Sequence, residues 1–148
     1  MIERKATLND VELLVKSRKL QLIDEGEPPC IGIDDELSAF FSSKIADGTL
    51  IQYILEKNGE MLATGGILYM DFPPSGTNST GKVGYVANIY TKPQYRRKRY
   101  AIKILGLLKQ DAQSKKVQEM RLVASKTGVF VYEKFGFSIA ERWMEMSI

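Results

Sequence analysis

The chain of 148 residues contains no histidine and a single cysteine. The first absence removes every imidazole-based catalytic triad, and the two together remove the usual zinc ligand sets, so no metal is expected. The lone Cys30 excludes an internal disulfide framework and suits a reducing compartment. No apolar run approaches the roughly 20 residues needed to cross a bilayer, and the opening MIERKATLND is not a signal peptide. Repeats, low-complexity tracts and linker-like stretches between domains are missing as well. These absences predict a cytoplasmic protein with no membrane partner, folded as a single domain over residues 1–148. A net charge of +3 is too small for a general nucleic-acid binder, so the clustering of charge carries more information than its sum.

That clustering falls in the stretch Val83 to Gln113. Val83, Tyr85, Ala87 and Ile89 alternate with Gly84, Val86, Asn88 and Tyr90, the period of two of a pleated strand. Pro93 stops it, having no N–H for a ladder. A basic turn follows, Tyr95-Arg96-Arg97-Lys98-Arg99-Tyr100. Then Ala101, Ile104, Leu105, Leu108 and Ala112 share one helical face. Strand, basic turn and helix place free backbone N–H groups and four consecutive cations at the positive end of a helix dipole. The partner such a turn predicts is a multivalent anion, a phosphate or pyrophosphate. A solvated surface turn is the bland alternative, but cations at a helix N-terminus cost about 0.3–1 kcal/mol each, so four without an anion sit awkwardly.

The rest of the chain reads as a short strand over Ile2 to Ala6, then a helix capped by Thr7 with Asp10 and faced by Val11, Leu14, Val15 and Leu22. A Gly-Pro loop leads to a second helix from Asp34 or Asp35, faced by Leu37, Phe40, Phe41 and Ile45. Strands over Leu50–Glu56 and Met61–Met70 flank an Asn58-Gly59 hairpin turn, with Gly65-Gly66 marking a bulge or close backbone approach. After a Pro/Gly/Ser/Thr-rich loop, Asp71 to Lys82, come the central unit, a strand over Met120–Ala124, a helix over Ser125–Phe135, and a last strand or bent pair from Phe137 to Met146. The fold class is α/β, a mixed, mainly antiparallel central sheet flanked by helices.

The basic turn resembles the acyl-CoA-binding motif of the GNAT family of N-acetyltransferases, which reads Arg/Gln, two residues, Gly, one residue, Gly/Ala between a strand and a helix. It maps onto Arg96, Arg97, Lys98, Arg99, Tyr100 and Ala101, with Arg99 where the family has its glycine. An arginine in right-handed backbone there costs little; one forced to positive φ strains or reshapes the loop. The element order and the closing Tyr132-Glu133-Lys134-Phe135-Gly136-Phe137 extend the resemblance over nearly the whole chain. It implies a GNAT-like fold and acetyl-CoA as co-substrate, bound by the basic turn and by strand backbone at Ile89, Tyr90 and Thr91, where the strand splays from its neighbour. It also implies Tyr132 as general acid for the departing thiolate; otherwise Tyr132 is one more aromatic beside Phe130, Phe135 and Phe137. Ser125 reads as a helix cap that could also touch the pantetheine arm.

The implied activity is direct, ternary transfer of acetyl to a primary amine of a small molecule or peptide. With no histidine to activate Cys30, a covalent acyl-enzyme is not expected. No general base is assigned: Glu25, Glu27, Asp34, Asp35, Glu36 and Asp71 fall in segments that could rim an acceptor site and read equally as solvated surface. The segments expected to shape that site are Gly26 to Gly32 and Asp71 to Lys82. The competing reading is a non-catalytic sensor of CoA or acyl-CoA on the same fold, suggested by Arg99 and the missing base. A single-stranded nucleic-acid groove of interleaved Tyr and Arg/Lys is the weakest of the three readings, so no nucleic acid is expected as partner. The apolar segment Trp143 to Ile148 allows a homodimer.

Overall fold

The computed structural model describes residues 1–29, 32–140 and 142–148; Cys30 and its expected place between the first helices lie outside them. The elements are β1 (Ile2–Lys5), a 3-10 turn (Leu8–Asp10), α1 (Val11–Asp24), α2 (Asp34–Ala46), β2 (Leu50–Lys57), β3 (Glu60–Asp71), β4 (Lys82–Thr91), a second 3-10 turn (Pro93–Tyr95), α3 (Tyr100–Ser114), β5 (Met120–Arg121) and α4 (Val129–Phe135). The strands form one sheet in the order β1-β2-β3-β4-β5. The first four are antiparallel neighbours, and β5 runs parallel to β4 after the α3 crossover.

Local chemistry sets the boundaries. Thr7 and Asp10 close the expected capping box: the Thr7 N–H donates to Asp10 Oδ2 at 2.8 Å and Asn9 N–H donates to Thr7 Oγ1 at 3.3 Å. It caps the short 3-10 turn, and α1 follows from Val11. Asn58 and Gly59 turn the β2–β3 hairpin with φ of 53° and 75°, the left-handed pair that matches strand twist.

Two apolar layers sandwich the sheet. On one face α1 and α2 bury Leu14, Val15 and Phe41 against Leu50, Ile54, Met61 and Tyr90. On the other, α3 buries Ile104, Leu105 and Leu108 against Leu55, Ala63, Ile67 and Val86, with α4 against α3. Each fully buried aliphatic side chain is worth about 1.5–3 kcal/mol, so the α3 stripe anchors the crossover. A polar clamp joins that helix to the far strands. Asp111 on α3 is buried and accepts from Lys5 Nζ (2.8 Å), Tyr69 Oη (2.6 Å) and Lys115 Nζ (2.8 Å). Burial pushes its carboxyl up, but the three hydrogen bonds outweigh that and hold it below the usual carboxylate range. Burial and the bond to Asp111 push the Tyr69 phenol up.

Several sequence expectations need correction. Phe40 faces solvent beside Phe41 rather than packing inward. The strand expected to run to Ala124 stops at Arg121, and the helix expected from Ser125 begins at Val129. The last strand expected over Phe137 to Met146 does not form: residues 138–140 and 142–148 carry no regular structure. The loop after β3 is tied down by its own hydrogen bonds, Phe72 N–H to Gly81 O at 2.8 Å and Ser75 N–H to Asn78 O at 2.9 Å. It lies at the start of β4, the opposite end from Thr91, and Asp71 lies there with it.

Replacing Asp111 with Asn should lower stability by about 1–3 kcal/mol in urea unfolding at pH 7, because its charge-assisted bonds are weakened. A carboxyl held below its unfolded value stabilises above that value, about pH 3.9, and the contribution is lost as pH falls through the folded value. The stability difference between wild type and Asp111→Asn should therefore shrink on acidification below about pH 4; a difference independent of pH would mean that the carboxylate's charge does not matter.

Candidate functional site

The site begins with a break in alternation. Thr64 pairs with Tyr90 and Gly66 with Ala87, so Asn88 and Ile89 together oppose the single Gly65. This is a β-bulge whose extra residue lies on β4, not at the glycines, and Asn88 takes φ of 59° to make it. Asparagine tolerates that region better than most residues. Glycine is required opposite: a Cβ on Gly65 would lie 2.4 Å from Ile89 Cδ1 and 2.5 Å from Ile104 Cγ2. The bulge flips side-chain parity. Val86 and Ile89, three apart, both face α3, while Tyr90 faces α1.

Backbone parity flips too. Before the bulge, Gly84 N–H points to Glu119 O on the β5 side at 2.9 Å; after it, Lys92 N–H points to Leu62 O on the β3 side at 3.0 Å. By alternation Thr91 and Ile89 turn away from β3. They find no strand there, because β5 pairs with β4 only at Gly84 and Tyr85. The two parallel strands separate, and the β4 backbone from Ile89 to Thr91 lines the opening.

The basic turn closes the end of this opening. Its first cation is engaged: Arg96 Nε donates to Thr91 O at 3.1 Å, and its guanidinium pairs with Asp24 at the end of α1. On the other side Glu60 accepts from Lys92 Nζ at 2.9 Å and from Tyr95 Oη at 2.7 Å, which fixes the 3-10 turn. Arg97, Lys98 and Arg99 have no carboxylate partner among the described residues; Lys98 Nζ stands 5.6 Å over the Tyr95 ring. Arg97 and Arg99 are both left-handed, with φ of 63° and 62°, and Arg99 is the N-cap of α3. The position of the motif glycine does require positive φ, and arginine adopts it. Tyr100 and Ala101 follow as the first helical residues, both half-buried.

Before α4, the Ser125 hydroxyl accepts from Gly128 N–H at 3.1 Å, capping the turn that leads into that helix. Tyr132 packs edge-on to Phe137, with centroids 6.1 Å apart, and against Gly128. Its hydroxyl has no hydrogen-bond partner among the described residues. Burial pushes the phenol up, and Glu25 at the end of α1 raises it further, so it stays protonated at neutral pH. Tyr90 is 6 % exposed and also pushed up, by burial and then by Asp24, with Arg96 opposing.

The Acetyltransferase (GNAT) family profile matches residues 19–137. The chain belongs to the GNAT family of acetyltransferases. Among solved structures it is similar to a protein from Clostridium acetobutylicum described as a predicted acetyltransferase and solved with acetyl-CoA. That likeness has 43% identity over 99% of this chain and 95% of the other, with a TM-score of 0.96. The fold is shared with a GCN5-related N-acetyltransferase from Ralstonia eutropha JMP134, at 20% identity, TM-score 0.92, and 99% and 97% coverage. Glucosamine-6-phosphate N-acetyltransferase from Arabidopsis thaliana shares it too, at 19% identity, TM-score 0.73, and 99% and 97% coverage. No curated protein sequence matches the chain.

The structure thus places Ile89, Thr91 and Arg96 to Ala101 between the end of β4 and the start of α3, with Tyr132 on α4 and Ser125 in the turn before it. Tyr90 points the other way, into the α1 layer. Sequence reasoning missed Asp24, which holds Arg96, and Glu60, which holds the turn; neither carries a pattern that marks its partner. Asn88 was legible only as a polar residue in a strand. Of the acidic candidates, Asp34 is tied to Lys19 at 2.6 Å and Glu25 accepts from Gln21 at 3.1 Å.

Left-handed backbone costs a non-glycine residue about 1–2 kcal/mol, and glycine adds up to about 1 kcal/mol of unfolded-state entropy. Arg99→Gly should therefore stabilise the fold by a net of about 0.5–1 kcal/mol in urea unfolding, the difference between those two effects. An unchanged or lowered midpoint would mean that the Arg99 backbone stores no strain.

Proposed function

We propose that this acetyltransferase moves an acetyl group from acetyl-CoA to a primary amine of a small molecule or peptide, within a ternary complex. The observation that carries this reading is the stretch of β4 at Ile89 to Thr91, which pairs with no strand on the β5 side among the described residues and ends in a turn of three cations without carboxylate partners there. An extended amide-bearing arm can pair with such an edge, and a pyrophosphate suits the turn and the N-terminus of α3. The similar Clostridium acetobutylicum protein, solved with acetyl-CoA, supports the ligand. Bound acetyl-CoA supplies an activated acyl thioester.

The roles follow from position. Arg97, Lys98 and Arg99 provide charge, and Tyr100 and Ala101 provide backbone N–H groups at the helix start. Arg96 holds the loop to Asp24 and so to α1. A backbone N–H between Ile89 and Thr91 polarises the acyl oxygen. Tyr132, kept neutral, donates its proton to the departing sulfur, whose acid is weak enough at about pKa 8.5 to need it. Ser125 fixes the approach to α4. The attacking amine loses its proton to ordered water or to a carboxylate at the end of α1. The acidic stretch from Asp24 favours a cationic acceptor.

Calorimetric titration with acetyl-CoA and with CoA should show dissociation constants on the order of micromolar for both. In an amine panel, Tyr132→Phe should lower kcat by about 100-fold or more with binding retained. Because its phenol is pushed up, Tyr132 keeps its proton below about pH 10, and the rate should rise with pH as the acceptor amine deprotonates. Absent binding would withdraw the reading. Binding without turnover on any amine would favour the sensor, and full activity in Tyr132→Phe would leave that ring a packing role.

A further inference from the structure

The face of the sheet under α1 and α2 holds a polar chain inside an apolar layer. Leu50 and Ile54 belong to that layer, and strand alternation puts Gln52 on the same face between them. Gln52 and Thr64 are each 2% exposed, and Asn88 is 8% exposed. The Thr64 hydroxyl donates to Tyr53 O at 2.8 Å. Its one hydrogen is thereby used, so toward Gln52 it can only accept, and Gln52 Nε2 donates to it at 2.8 Å. That bond turns Gln52 Oε1 toward Asn88, whose Nδ2 donates to it at 3.4 Å. Gly66 keeps the place open: a Cβ there would lie 2.1 Å from Gln52 Oε1. Each amide is thus oriented by the group before it, and the chain starts at a backbone carbonyl, which only accepts.

The chain ends on an atom without a partner. Asn88 Oδ1 accepts no hydrogen bond from any described residue, yet among the described residues no fully enclosed side-chain nitrogen or oxygen is left unpaired. So Oδ1 reaches solvent, although the residue is more than nine-tenths buried. The Tyr90 hydroxyl, two residues on and facing α1, is in the same condition: the residue is 6% exposed and its oxygen is unpaired and open to solvent. Two deeply set polar atoms that still meet solvent mark the floor of a cleft between β4 and α1. An amide oxygen accepts and never donates, so Asn88 suits an O–H or N–H there. Its Nδ2 leans across β3 to Gln52, which puts the amide on the side of β4 away from the opening toward β5. An acceptor whose amine sits at that opening reaches Asn88 with a second group, about 5 Å away, one strand spacing.

We propose that Asn88 reads the acceptor substrate: its Oδ1 accepts a hydrogen bond from a hydroxyl or amide N–H carried a few bonds from the reacting amine. The acceptor class is then an amino alcohol or an amino-acid amide, in preference to a plain alkylamine. Asn88 makes the contact. Thr64 and Gln52 are positioning residues that keep its oxygen, and not its NH2 group, at the cleft. The inference rests on the acetyl-transfer reading, because it supposes an amine at the opening.

Matched acceptors test it, each pair differing in the donor: ethanolamine against its methyl ether, and alaninamide against alanine methyl ester. Calorimetric titration into protein loaded with CoA, which has no acetyl to transfer, should show the donor-bearing member binding about 10- to 100-fold tighter, the effect of leaving a buried acceptor atom unpaired. With acetyl-CoA the same ratio should appear in kcat/KM for the acceptor, carried mostly by KM. Asn88→Gly, which accepts the φ of 59°, should abolish the preference. Thr64→Val frees the Gln52 amide to turn over and should lower the preference, while Thr64→Ser should retain it. Far-UV circular dichroism checks the fold of each variant, and if one fails to fold the other carries the test. A preference within one pair supports the inference and names the donor. Equal binding within both pairs, no binding of any of these amines, or a preference unchanged in folded Asn88→Gly or Thr64→Val would overturn it. Binding with the preference but without acetyl transfer would leave this contact standing and withdraw the enzyme reading instead.

Discussion

Two parallel strands that meet at only two residue pairs impose the central constraint on this protein. Backbone N–H and C=O groups are obligate hydrogen-bonding groups, and a strand in the middle of a sheet normally spends them on both neighbours. β4 does so with β3 along its length, but beyond Tyr85 it pairs with no strand on the β5 side among the described residues, where Arg96 Nε reaches Thr91 O. Its open groups lie beside the start of α3, whose first N–H groups also lack internal partners. One separation of strands therefore collects two sets of unsatisfied donors in one place. The clamped turn and the end of α1 flank that place.

The turn at the end of the opening is held more tightly than its composition suggests. Arg96 ties it to α1 through Asp24, and Glu60 ties it to β3 through Lys92 and Tyr95. Two left-handed arginines are costly, and such backbone persists where the surroundings over-determine it. Both flanks of this turn are anchored, so Arg97 to Arg99 have little freedom to relax. Their three charges add mutual repulsion that only an anion offsets. Strain and charge both suit a multivalent anion at this turn.

Periodicity made the frame readable: apolar spacing located α3, the Asn-Gly pair located the β2–β3 hairpin, and the capping pair marked the 3-10 turn that precedes α1. Signs of φ at residues other than glycine were not readable, because residue type constrains them weakly; Arg99 could be weighed from the sequence but not decided. Gly65 and Gly66 announced a close approach, yet which strand carries the extra residue depends on pairing, which no local pattern encodes. β5 was overestimated because Leu122 to Ala124 has strand-like residues but no neighbour in register. The alternation in the C-terminal segment was legible as strand chemistry, but none of its described residues pairs with another strand.

The bulge at Asn88 sets two things at once. Were β4 to keep strict alternation, Val86 and Tyr90 would share a face, and Ile89 would fall on the other. Tyr90 would then crowd the layer that Ile104 and Leu105 fill, and Ile89 would leave its seat over Gly65. The backbone would shift with the side chains: Thr91 would turn toward β3 and Lys92 toward the opening. One extra residue thus keeps the aliphatic side chain in the α3 core, sends the aromatic ring to α1, and turns the groups of Ile89 and Thr91 outward. Side-chain burial on both faces, worth several kcal/mol, locks the register that leaves those backbone groups open. The fold cannot easily close the opening without unpacking its own core.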